Sequence, residues 1–168
     1  MTINTETITR ERAMALLDYH PDTGLFHWRV PKSLRVKPGD VAGTTDDKGY
    51  VRIMIDYRWY RAARLAWLIT HGVLPVRIDH INGVKDDNRI ENLREATVQQ
   101  NNQNAALRRD STTGCPGVSK HRSGYQARIY VDGGSKSLGL FKSLEEACAT
   151  AAAARREAFG QFARRAAA

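Results

Sequence analysis

Asp79 and His80 stand side by side, and the residues after them carry a rank of amides at Asn82, Asn88, Asn92, Asn101, Asn102 and Asn104. A carboxylate ligates hard cations, and an imidazole with an ordinary pKa of about 6.5 takes a proton from water near neutral pH. Neighbours on a regular strand point to opposite faces, so the two share a site only where a strand ends or distorts. Asn82-Gly83, both tolerant of positive φ, supplies a turn at that place. Farther on, Thr97, Asn101 and Asn104 fall at i, i+4 and i+7, one polar helical stripe able to offer an amide oxygen. A single carboxylate and an amide cage a divalent ion poorly. They suit Mg²⁺ or Mn²⁺ when waters and a phosphate oxygen complete the octahedron.

The elements that must place these groups read as strand, turn, short strand and helix. Leu74 to Ile78 is an apolar run with strand character, ending at Asp79 and His80. Leu93 to Asn104 lacks Gly and Pro and is expected to be helical. Upstream, residues 8–20 read as a helix capped by Thr9, with Ala13, Leu16 and Leu17 inward, closed by the turn His20 to Gly24. Leu25 to Val30 alternates as a strand with His27 on its solvated face, and Lys32 to Pro38 is a basic loop. Val51 to Ile55 and Arg58 to Arg61 form a hairpin. Arg52, Arg58 and Arg61 are expected on one surface that faces a polyanion, the plain alternative being a solvated outer face. Ala62 to His71 is a helix stopped by Gly72, with Trp67 in the core and His71 at the dipole's negative end.

Asp79-His80-Ile81-Asn82-Gly83, Asp87 to Arg94 and Gln100-Asn101 together resemble the phage-type HNH endonucleases, ββα-metal enzymes that include homing endonucleases. The resemblance implies that His80 is the general base and that Asp79 and Asn101 ligate one metal ion. It makes Asn92 the middle Asn of the family name, bracing the loop. It extends back through Tyr60 to Trp67, including Arg64, which the reading places on DNA. There the sequence departs from the pattern: Ala63 stands where the family usually has His before Arg-Leu, so a second imidazole is missing.

Arg108, Arg109 and the polar residues around them read as a linker over 105–114. Beyond it Gly117 to His121, Tyr125 to Val131 and Lys136 to Phe141 read as three strands separated by turns. Ser143-Leu144-Glu145-Glu146 is a capping box that opens an Ala-rich helix ending at Gly160. With the helix behind the sheet, alternation leaves Gln126, Arg128 and Tyr130 on the open face, near Lys120 and Arg122. Such a face can enter a major groove, where Arg reads guanine and Gln reads adenine. Gly117-Val118, Tyr125 to Ile129, Leu138 to Phe141 and Glu145-Glu146-Ala147 resemble the APETALA/ethylene-response-factor DNA-binding domain, with Tyr125 where that family usually has Trp and Ala151-Ala152 replacing its Tyr-Asp.

The fold class expected is α+β: an HNH unit over 1–104 with its core motif in 60–104, then a sheet-and-helix unit over 115–168. The net charge of +8 points to a polyanionic partner. It is uneven, residues 105–168 holding 11 Lys and Arg against 5 Asp and Glu. Cys115 and Cys148 make no CxxC pair, so neither a zinc ribbon nor a disulfide framework is expected, and a reducing interior is the default. The sequence offers no transmembrane run and no signal-peptide core, which leads to a cytoplasmic expectation, the host's if the chain is phage-encoded. The function expected is metal-assisted cleavage of double-stranded DNA by a monomer, using one Mg²⁺ or Mn²⁺. The alternative from another class is a repressor-like DNA-binding protein on a nuclease scaffold that no longer cuts, which Ala63 favours. A structural nucleoid protein fits the charge but gives no reason for Asp79, His80 and Asn101 to coincide.

Overall fold

The computed structural model describes residues 8–104, 107 and 111–163. It is a mixed α and β chain of small antiparallel sheets and few helices, divided between Val98 and Gln99 into two compact units.

In the first unit Thr9 caps α1 (Arg10–Leu16), its hydroxyl accepting the Arg12 N–H at 3.2 Å. The helix expected over 8–20 stops early. Leu17 turns extended and opens β1 (Leu17–His20), which pairs antiparallel with β2 (Leu25–Trp28) in the register Leu17↔Trp28 to His20↔Leu25. Burying Leu17 against Phe26 and Trp28 outweighs helix propensity, the usual tertiary override. His27 is half-buried rather than solvated, and its ring meets the edge of His20 at 4.9 Å. Three strands follow, β3 (Thr44–Thr45), β4 (Val51–Ile55) and β5 (Arg58–Arg61), in sheet order β3-β4-β5. Ile53 and Ile55 face inward onto α2 (Ala62–His71), whose Ala62, Leu65, Ala66 and Leu68 are buried; Gly72 ends that helix with φ +81°. Trp67 is only partly buried, stacked on His71 with ring centres 4.0 Å apart.

The strand expected from Leu74 begins later. β6 is Ile78–His80, with Asp79 at its centre and His80 at its end. A 3-10 turn, Ile90–Asn92, leads into β7 (Leu93–Glu95), which pairs with β6 in the register Ile78↔Glu95, Asp79↔Arg94 and His80↔Leu93. The helix expected from Leu93 therefore starts at Val98, as α3 (Val98–Gln103). Pairing across the loop claims Leu93 to Glu95, and Leu93 adds its side chain to the core.

In the second unit β8 (Val118–His121), β9 (Gly124–Val131) and β10 (Gly134–Phe141) form an antiparallel sheet in the order β10-β9-β8, with a register shift between Ser137 and Gly139. Ser143 caps α4 (Leu144–Phe159), its hydroxyl accepting the Glu145 and Glu146 N–H groups. Ala147 and Ala151 let the helix lie close on Val118 and Ala127. The Arg155 guanidinium donates to the Gln103 carbonyl at 2.7 Å, and burial holds its pKa down.

The two cysteines correct the sequence reading. Cys115 and Cys148 form a disulfide with Cα atoms 5.7 Å apart, joining the approach to β8 with α4. They lie 33 residues apart in the chain, a spacing that carries no local signal. Only packing the helix on the sheet brings them within bridging range. Among the described residues no helix is long and apolar enough to cross a membrane.

Candidate active site

Antiparallel partners share a face, so the β6–β7 register sets Asp79 beside Arg94 and His80 beside Leu93. Arg94 donates to the Asp79 carboxylate through Nε at 2.9 Å and Nη2 at 2.6 Å, both on Oδ2. Both side chains are largely buried, Asp79 at 7% exposure and Arg94 at 12%. Removing either partner would strand a buried charge. Nothing local marks Arg94 as facing Asp79: its stretch suits a helix, and only pairing with β6 brings the two together.

Beyond His80 the loop is tied at both limbs. Gly83 closes the turn by donating to the His80 carbonyl at 2.9 Å, with φ +75°. The Asn92 side chain accepts the Asn82 N–H at 3.0 Å and donates to the Asp87 carbonyl at 2.8 Å. Asn82 in turn donates to the Asp87 carboxylate at 2.8 Å. Arg89 grips that carboxylate with two further bonds of 2.8 Å, one to each oxygen. These bonds, that from the Arg89 side chain first, lower the Asp87 pKa to about 2 and raise that of Arg89.

The β1–β2 hairpin fastens the loop from behind. Tyr19 donates its hydroxyl to the Asn88 carbonyl at 2.8 Å, and burial pushes its pKa well up. Ile90 donates to the Pro21 carbonyl. A Cβ on Gly24 would lie 2.5 Å from the Arg89 nitrogen, so only glycine permits this approach.

Asn88 is the consequence of that bracing. Its amide nitrogen donates to the Asp86 carbonyl at 3.1 Å, which turns its oxygen toward His80 Nε2, 3.3 Å away. An acceptor there places the ring proton on Nε2 and makes Nδ1 the lone-pair nitrogen. Burial lowers the His80 pKa, opposed by the Asn88 contact and by Asp79, so the ring is neutral near pH 7. A neutral imidazole with a directed lone pair is equipped to take a proton from water.

The remaining predicted residues are distributed. Ala63 lies in α2, buried in the core of the first unit. Arg64 donates to the Pro75 carbonyl at 2.7 Å, fastening the approach to β6. Arg52 and Arg61 are cross-strand partners on one face, where Arg52 lies over Trp59 at 4.4 Å. Arg58 pairs with Ile55 on the opposite face, so the three arginines do not line one strand surface. Asn101 lies in α3, among the residues of the second unit. Arg108 and Arg109 lie outside the described residues. In the second sheet Arg128 and Tyr130 are exposed and Gln126 is half-buried, on the face that carries Ser119. Lys120 pairs with Tyr125 on the other face, and Arg122 sits in the β8–β9 turn.

Among the described residues no three His, Cys, Asp or Glu gather to hold a metal. The donor the described residues offer here is the Asp79 carboxylate, already charge-compensated by Arg94. That chemistry fits a weakly held, oxygen-coordinated divalent ion completed by water and phosphate, and it does not fit zinc or a soft metal. No curated protein and no solved structure matches the chain. Residues 60–103, which hold α2, the β6–β7 pair and its loop, match the family model described as HNH endonuclease, and this segment supports a nuclease that acts on DNA.

Proposed function

We propose that the chain is a metal-dependent endonuclease that hydrolyses phosphodiester bonds in double-stranded DNA. The observation that carries this reading is the buried Asp79–His80 pair at the end of β6, inside the segment that matches the HNH model. Asp79 would hold one Mg²⁺ or Mn²⁺ ion, and the motif implies Asn101 as a second protein ligand. When bound, the ion supplies Lewis-acid stabilisation of charge on the phosphate and the leaving 3′ oxygen. His80 takes a proton from the attacking water at Nδ1, and Asn88 holds the ring in the tautomer that allows it. Asn92 keeps the loop closed around that geometry without touching the reacting atoms.

Site selection falls to the second unit. The sheet face bearing Gln126, Arg128 and Tyr130 meets base edges, and Arg122, in the β8–β9 turn, meets the phosphates. Arg108 and Arg109, which lie outside the described residues, join Arg52, Arg58, Arg61 and Arg64 in the proposed DNA-binding set. This division of cutting from addressing is that of a homing-type enzyme encoded by a phage.

The Asp79–Arg94 pair favours one competing reading. A carboxylate compensated by arginine, with alanine at position 63, describes a DNA-binding protein that has lost cleavage. Incubation with supercoiled plasmid in Mg²⁺, Mn²⁺ or EDTA separates the two. We expect nicking with either metal, none in EDTA, and loss of nicking in His80→Ala with DNA binding kept within a few-fold. A parent that binds plasmid but leaves it supercoiled in both metals establishes the repressor-like reading.

A further inference from the structure

Asp46 organises the turn that precedes β4. Its carboxylate accepts the Lys48 N–H at 3.0 Å and the Tyr50 N–H at 2.9 Å through Oδ1, and takes Arg61 on Oδ2. These contacts, the Tyr50 backbone bond foremost, keep the Asp46 pKa low and the carboxylate ionised. The turn delivers two things to one place: the Tyr50 ring, whose centre lies 6.0 Å from that of His80, and the Lys48 carbonyl. Lys85, from the loop between β6 and β7, donates to that carbonyl at 2.9 Å and sets its ammonium 4.9 Å from the Tyr50 ring centre. Arg61, from the end of β5, sets its guanidinium 4.2 Å from the same centre.

Two cations so close to one ring lie within about a Debye length of each other at 0.1 M salt, about 10 Å, and repel. Asp46 compensates Arg61. Lys85 forms no salt bridge among the described residues: the nearby Asp87 is taken up by Arg89 and Asn82, and Asp86 is exposed. An ammonium has three donors, and one is used by the Lys48 carbonyl. The ring face partly offsets the repulsion, by an amount that is small at exposed sites. An anion bound at the cluster offsets it. The cluster therefore offers an anion two cations, each against the Tyr50 ring and one with donors to spare, and the centre of that ring lies 6.0 Å from that of the imidazole.

We propose that Lys85 and Arg61, held over Tyr50, grip a backbone phosphate of the DNA and set the strand against His80. The proposal rests on the nuclease reading for its ligand, and it adds Lys85 and Tyr50 to the substrate-contacting residues.

The test separates grip from cleavage. Binding of a short duplex of arbitrary sequence is followed by fluorescence anisotropy between about 50 and 200 mM salt, where each neutralised phosphate adds about 0.9 to the slope of log K against log salt. Lys85→Met keeps the apolar stem and drops the charge, and Lys85 is exposed, so the variant folds. It should lower the slope by about one phosphate and weaken binding several-fold at low salt. Lys85→Arg should restore both. Tyr50→Leu, which removes the platform without changing charge, should weaken binding in the same direction. A parental slope in Lys85→Met overturns the grip. If the parent never nicks plasmid but Lys85→Met still loses slope, cleavage fails and the phosphate seat stands. If the parent nicks and the slope does not move, the seat fails and the nuclease stands.

Discussion

The residue that shows most plainly how this site is built is Asp87, which reacts with nothing. Its carboxyl holds the Asn82 side chain and two donors of the Arg89 guanidinium, and so fixes the loop that presents Asn88 to His80. A folded-state pKa of about 2 against an ordinary 3.8 means that the unfolded chain binds the proton more readily. Its stabilisation, about 2 kcal/mol by linkage, is complete above the unfolded value and is lost as pH falls through the folded one. Parent and Asp87→Asn should therefore differ most in thermal stability near pH 6, with the gap closing between pH 4 and 2. A gap independent of pH would show that the loss comes from the hydrogen bonds and not from the charge.

At the scale of elements, the site depends on a hairpin that contributes no reacting group. β1 and β2 press on the loop through Tyr19, Pro21 and Gly24, and the closest approach passes through Gly24 at φ +73°. Gly24→Ala meets both a left-handed backbone, which costs about 1–2 kcal/mol with a Cβ, and backbone atoms that cannot yield. The expected outcome is a lower melting temperature and a fall in nicking rate larger than the change in DNA affinity. An unchanged rate in a destabilised variant would show that the loop holds its shape without the hairpin. The hairpin was only half visible in the sequence. Thr9, the turn at Pro21 and the alternation of β2 were legible because capping and turn chemistry are local. β1 was not, because Leu16 and Leu17 suit a helix equally well and only pairing with Trp28 selects the strand. Leu93 to Glu95 suits a helix for the same reason: its strand partner lies across a loop.

For the whole molecule, charge matters most. The net charge of +8 supplies sequence-independent attraction to DNA, steep in salt. Specificity under the proposed function sits on the second sheet, where Arg128 is exposed between Gln126 and Tyr130. Arg128→Ala should cost about 1–3 kcal/mol in binding a selected target and much less on arbitrary duplex, with plasmid nicking by the nuclease unit retained. Equal losses on both DNAs would make Arg128 a phosphate contact. The disulfide bears on this unit alone: by chain entropy a loop of this size is worth about 3–4 kcal/mol.

The sequence by itself determined the identities and the local chemistry: an acid beside an imidazole, a turn after them, asparagines at fixed spacing, and a capped Ala-rich helix. Those follow from covalent adjacency and short-range backbone preference, which need no knowledge of the rest of the chain. Only the tertiary structure decided who faces whom. Arg94 on Asp79, Asn88 on His80, Lys85 and Arg61 over Tyr50, and Cys115 bonded to Cys148 all depend on strand register and on packing between distant segments. Register shifts by one residue exchange the faces of a strand, so residue type alone cannot choose these partners.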